Sequence, residues 1–284
     1  MNKQVTIGIA TRNRWTDLKI TLQKIYDFGW RDTRVIVVDD HSDMECPFDA
    51  KEILPLTEVK RFNQQKGYIT RRNQLANFIE TPYYLSLDDD SYPQGGSLEE
   101  ALKLIGSSSD IFCIAFPIYN PKHKFYQVAS LKDSPYQVRS FIGCAHLIAV
   151  EKFKLLGGYR EELVHQGEEV DISVRAFQRG WKVYHLPSLT IDHNVSLNGR
   201  NWDRMDFFGA RNNILWNDWY LPGSIKFFVQ VKNIFSRLIL ALRVRRSGQL
   251  AGIRDAFKNL KSYEKFRDEL SFSAFMKWHK LPVS

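Results

Sequence analysis

Apolar residues in the first part of the chain come in short unbroken runs, and the runs end in polar clusters. Val5 to Ala10 ends at Thr11-Arg12-Asn13-Arg14, Arg34 to Val38 at Asp39-Asp40-His41-Ser42, and Tyr83 to Leu87 at Asp88-Asp89-Asp90. Short apolar runs bounded by turn residues predict strands buried on both faces. Between them the period lengthens to that of a helix: Leu18, Leu22 and Ile25 follow the capping candidates Thr16 and Asp17, and Ile69, Leu75, Ala76 and Ile79 follow Gly67. Val59 to Phe62 adds a short strand. The alternation predicts an α/β sheet with right-handed crossovers. In such sheets ligands sit beyond the carboxyl ends of the strands, so the three polar clusters should meet in one cleft.

The second part is mixed. Ile111 to Ile118 and Phe141 to Val150 read as strands, the latter leading into a short helix ended by Gly157-Gly158. In HQGEEVDISVRAFQRGWKVYHLP, Val170, Val174 and Phe177 mark one helix face, Gly180 stops the helix, and Lys182 to Leu186 forms a strand. Glu168 and Glu169 stand in the first turn of that helix, where acids also complement the helix dipole. Residues 225 to 244 place Phe228, Val231, Phe235, Leu238 and Leu242 on one stripe, with Lys226, Lys232 and Arg243 elsewhere.

Charge sharpens this picture. Of the net +8, residues 224 to 284 carry +9 and the first 223 residues −1. A basic amphipathic helix fits the surface of an anionic membrane, or else packs on the catalytic domain. Nucleic-acid binding is disfavoured, because the charge is confined to the tail while the cleft is acidic. Cys46, Cys113 and Cys144 lie far apart without metal-ligand spacing, and no secretion signal or membrane span stands out. A cytoplasmic protein is expected, peripheral at the inner face of a membrane if the tail binds there. The Asn194-Val195-Ser196 sequon is then a chance match.

Three adjacent aspartates at the end of a buried run repel one another unless something positive joins them. In extended backbone Asp88 and Asp90 share a face, which suits a hard divalent cation completed by phosphate oxygens. An acidic turn with no ligand is the plainer alternative.

Taken in order, TRNR, VVDDHS, the Lys66 to Asn73 segment, LDDDSYP, GGYREE, GEEVDISVRAFQRGW and RNNILWNDWYLP resemble the family 2 glycosyltransferases of the GT-A fold over most of residues 3 to 222. The resemblance implies a Rossmann-like, mostly parallel mixed sheet flanked by helices. It divides the chain into a catalytic domain (1–222, with a nucleotide-sugar half to 105 and an acceptor half from 106) and a helical extension (223–284). It also implies inverting transfer of a hexosyl group from a UDP- or dTDP-type sugar to a glycan or lipid-linked acceptor in cell-surface polysaccharide synthesis. By the same resemblance Asp90 is a ligand of Mn²⁺ or Mg²⁺, joined by Asp88 at the metal or ribose and by His193. Thr11, Arg12, Asp40, Arg72 and Arg211 bind the nucleotide or its diphosphate. Glu169 is the general base, with Glu168 as the alternative. A sugar nucleotidyltransferase would use the same kind of metal site, but would want a glycine-rich loop after the first strand, and TRNRWTD has none.

Overall fold

A computed structural model describes residues 3–195 and 201–284; Ser196 of the sequon lies outside them. The first part alternates as the pattern predicts: β1 (Val5–Thr11), α1 (Trp15–Asp27), β2 (Arg34–Asp39), a short α2 (Ala50–Ile53), β3 (Thr57–Arg61), α3 (Tyr68–Phe78) and β4 (Tyr83–Asp88). β5 (Ser91–Gly95) and α4 (Leu98–Gly106) follow, then β6 (Ile111–Ala115), β7 (Ile118–Asn120), β8 (Phe125–Val128), β9 (Tyr136–Val138) and β10 (Ala145–Ala149). The chain continues through α5 (Val150–Leu155), α6 (Glu168–Gln178), β11 (Lys182–His185), β12 (Thr190–His193) and α7 (Trp202–Tyr220). It ends in α8 (Gly223–Val244), α9 (Gly248–Asn259) and α10 (Phe272–Lys280).

Eight strands form one mixed sheet in the order β3-β2-β1-β4-β10-β6-β11-β9, and four form a second in the order β5-β12-β7-β8. β3, β2, β1 and β4 run parallel, while β10 enters antiparallel to both β4 and β6. Within each apolar run the period of two sorts side chains to opposite faces. Ile7, Ile9, Val35, Val37, Leu85 and Leu87 join one core with Leu18, Leu22 and Ile25 of α1, whereas Ile36, Val38 and Tyr84 join the other with Ile69 and Leu75 of α3. Each such side chain contributes about 1.5 to 3 kcal/mol by leaving water.

Three local readings need revision. Asp88 ends β4, but Asp89 and Asp90 form a turn into β5, so strand alternation does not set their directions. The third strand begins at Thr57 rather than Val59. The first helix is entered at Arg14, and Asp17 binds the Arg14 guanidinium at 3.1 Å instead of capping.

The tail folds back on the domain. Trp278 of α10 is buried with its ring 5.4 Å from that of Trp216, and the Leu270 amide donates to the Tyr220 carbonyl. No helix among the described residues is long and apolar enough to cross a membrane.

Candidate active site

The carboxyl ends of β1, β2 and β4 and the start of α6 carry the titratable groups. Asp88, Asp90 and His193 come together from β4, the following turn and the end of β12, with one ligand atom of each within 4.8 Å of the others. The second sheet delivers the histidine: β12 pairs antiparallel with β5, setting His193 opposite Ser91, one residue past Asp90. His193 Nε2 lies 3.4 Å from Asp90 Oδ1, and Nδ1 donates to Gln127 Oε1 at 2.9 Å. Gln127, on β8, thereby turns Nε2 toward the carboxylates, an arrangement that commonly orients metal-binding histidines.

The positive charge that the three aspartates require comes from Arg14 and His193 at Asp89 and Asp90, and from Arg72 at Asp88. Arg14 binds Asp90 at 2.5 Å and Asp89 at 3.1 Å. Burial opposes ionisation of Asp90, yet His193 and Arg14 hold its carboxyl down at about 2. Burial likewise opposes the charge of His193, but its bonds to Asp90 and Cys144 push its pKa up to about 11. Two carboxylates and an imidazole within ligand distance form a donor set that suits Mn²⁺ or Mg²⁺, and a divalent cation can displace the Nε2 proton. The residues therefore fit the metal. Asp89 faces inward instead, accepting from the Thr11 hydroxyl at 2.7 Å, while its backbone carbonyl accepts from Thr21. Burial raises its pKa to about 8 against the pull of Arg14.

A second acidic group is built by α6. Gly167 caps that helix with φ +89°, a left-handed conformation that glycine adopts without strain. Glu168 is fully buried, whereas Glu169 is partly exposed. Burial, and then the neighbouring Glu169, push Glu168 up to about 8; burial also raises Glu169, against the attraction of Arg72. Two carboxyls in one site titrate as a pair, and burial favours a proton shared between them.

Arg72 joins the two acidic groups. Its side chain is 4% exposed, binds Asp88 at 2.5 Å and Glu168 at 3.3 Å, and donates to the Gly143 carbonyl at 2.9 Å. Gly143 allows this close approach: a Cβ there would lie 2.3 Å from Glu169 Oε1 and 3.0 Å from Arg72 Nη1. Gly143→Ala is therefore expected to displace the Glu169 carboxylate, since the end of a flexible side chain yields most easily. Turnover should fall about tenfold or more while the melting temperature changes little, because small displacements of reacting groups are penalised heavily. Steady-state kinetics beside thermal unfolding checks this, and unchanged turnover would show that the Glu169 position is unimportant.

The remaining sequence candidates fall in two places. Thr11 is buried with its hydroxyl on Asp89, whereas the Arg12 side chain is 38% exposed and 3.9 Å from Asp43. Asp40 is buried and accepts from the Lys66 and Gly67 amides, each at 2.8 Å, and from Arg71 Nε at 2.7 Å, so it orders the approach to α3. Arg211 does not join the cluster. Its guanidinium binds Asp255 at 2.9 Å, the Tyr263 hydroxyl and the Glu162 carbonyl, tying α9 to the loop before α6. Asn212 beside it reaches the carbonyls of Leu163, His165 and Gln166 in the same loop, where Val164 and Gln166 have positive φ. Arg14, Gln127 and Gly143 were not among the sequence candidates. Only Arg14 carried a signal, its place in the polar cluster after β1.

The model of the family described as "Glycosyl transferase family 2" matches residues 6–159, more than half the chain. The chain belongs to that family. Among curated proteins, this glycosyltransferase is 26% identical to the pre-mycofactocin glycosyltransferase of Mycobacterium tuberculosis, over 74% of its own length and 47% of the relative's. It thus spans about half the length of the curated relatives it matches. Among solved structures it resembles GalNAc-T7 with UDP, GalNAc and Mn²⁺ (TM-score 0.60, 19% identity, 74% of this chain and 50% of that one). It also resembles the mannosyltransferase PcManGT of Pyrobaculum calidifontis with GDP-Man and Mn²⁺ (TM-score 0.58, 15% identity, 98% and 79%). These likenesses carry the GT-A fold, a large mixed sheet flanked by helices with a helical C-terminal region.

Proposed function

We propose that this glycosyltransferase moves a hexosyl group, with inversion, from a nucleoside-diphosphate sugar to a hydroxyl of a glycan or lipid-linked acceptor. The observation that carries the reading is the pairing of Asp88, Asp90 and His193 with the Glu168–Glu169 carboxyls through Arg72. Transfer separates charge: the diphosphate departs with negative charge while the acceptor hydroxyl gives up a proton. A divalent cation held by Asp88, Asp90 and His193 would supply Lewis-acid stabilisation of the leaving diphosphate.

The protein's own groups do the rest. Thr11, Arg12 and Asp40 border the nucleotide site at the ends of β1 and β2, and Arg12 is a part-exposed cation there. Arg72 holds Asp88 and Glu168 in fixed relation, so it positions both halves of the site from beneath. Glu169, the more exposed of the pair, takes the acceptor proton while Glu168 keeps the shared one. One direct attack at the anomeric carbon inverts it. Arg211 serves as an anchor of the loop before Glu168.

A UDP- or dTDP-type donor and a role in cell-surface polysaccharide synthesis fit this scheme. A lipid-linked acceptor would be met at the inner face of a membrane. The test is release of nucleoside diphosphate from a panel of UDP-, dTDP- and GDP-sugars with Mn²⁺ and with Mg²⁺. Release from at least one donor, lost on chelation, is expected. Pyrophosphate release from a nucleoside triphosphate and a sugar phosphate, with no donor cleaved, would replace the reading by nucleotidyl transfer.

A further inference from the structure

We propose that the outward face of α8 is a docking surface for an anionic lipid bilayer, on which the protein lies flat. Toward the body the helix turns Ile234, packed against the core, and buried Ala241, with polar groups among them: Lys226 binds Glu269 and the Asp218 carbonyl, Gln230 bonds Asn217 and the Ile214 carbonyl, and Arg237 lies against Gly209 of α7. Toward solvent it carries Phe227, Phe228, Val231, Phe235, Leu238 and Leu242, with the three phenylalanines 71%, 72% and 64% exposed and Leu242 79%. At about 100° per residue these six occupy a sector of roughly 100°. A helix that only covers a core presents a polar face to water, whereas a contiguous exposed apolar patch marks a docking site.

The charges decide what docks. α8 has no acidic residue, and exposed Lys232 and Arg243 lie beside the apolar sector, with exposed Arg245 just past the helix end. An apolar strip with a basic border matches the acyl boundary and phosphates of an anionic leaflet. It also argues against self-pairing, which would bring two basic borders together. Twenty-two residues give a helix about 33 Å long, suited to lying along the surface rather than spanning it.

The inference goes beyond glycosyl transfer and does not depend on it, because vesicle binding is read without donor or acceptor. Full-length protein is sedimented with vesicles of phosphatidylcholine alone, or of phosphatidylcholine with phosphatidylglycerol, at low and high salt. Two pairs of substitutions are compared: Phe228→Ser with Phe235→Ser, and Lys232→Glu with Arg243→Glu. Binding to the anionic vesicles is expected, weakened by salt and reduced about tenfold or more by either pair, with melting temperatures unchanged. Turnover on a soluble donor, where it is measurable, should stay at the parental level. No binding by the parent protein, or equal binding to both vesicle types in high salt, would overturn the proposal. So would a dimer that the phenylalanine pair dissociates while vesicle binding is absent; the face would then belong to a second copy.

Discussion

Asp90→Ala should lose Mn²⁺ binding and about 10²-fold or more of turnover while keeping its fold. The geometry separates these effects. Asp90 binds Arg14 and His193, and without it Arg14 still binds Asp89 and Asp17. The imidazole loses the carboxylate that raises its pKa, so the change falls on the site that Asp88 and His193 would then share alone. Asp89→Ala is the contrasting variant. It leaves the Thr11 hydroxyl and one face of Arg14 without their buried acceptor, so its first effect should be a lower melting temperature. Mn²⁺ titration without donor, beside thermal unfolding, reads the two apart. Wild-type turnover for Asp90→Ala in the presence of EDTA would remove the metal from the mechanism.

What the sequence reveals and what it hides follow from the range of the forces involved. β1, β2 and β4 are legible because a continuous apolar run has few ways to be buried, and the polar clusters after them do touch, Arg14 on Asp90 and the Asn13 amide on Ser42. Arg72 is different. Helical periodicity assigns charged residues to the outside, yet Arg72 is buried because Asp88 and Glu168, 16 and 96 residues away, surround it. The second sheet is equally hidden, since β5 contains Pro93 and is held by a partner strand about a hundred residues later. Its effect on the site is large: it supplies His193 and, through β8, the Gln127 that orients it. The acids after β4 were read as sharing a strand face, and they do converge with His193, but by way of a turn. Arg211 illustrates the opposite limit. The family resemblance suggested the diphosphate, whereas the chain, folding back, gives it Asp255 of α9 and Tyr263 as partners. Five of the six residues of the α8 stripe were legible, all but Phe227, although only the folded chain shows that they face outward.

Glu169→Gln should leave donor binding intact and lower turnover about 10²-fold or more. The glutamine keeps the size of the side chain and much of its hydrogen bonding but has no basic site. Glu168 is the natural control, being fully buried and bound to Arg72. If it holds the shared proton, Glu168→Gln keeps that donor and should lower turnover much less. The acid limb of the wild-type rate should lie above the range of ordinary carboxylates, because burial raises both members of the pair, Glu168 to about 8. Stability runs the other way. A carboxyl whose folded pKa is raised is favoured while protonated, so its contribution is full below the unfolded value near 4.5 and declines as pH rises toward 8. Glu168→Gln removes that dependence and should flatten melting temperature against pH over this range. Were the acids present only to complement the helix dipole, each glutamine variant would lose a little stability and no turnover. Loss of turnover in Glu168→Gln alone would move the base back one residue and leave the inverting displacement in place. Full activity in both variants would remove the pair from proton transfer altogether.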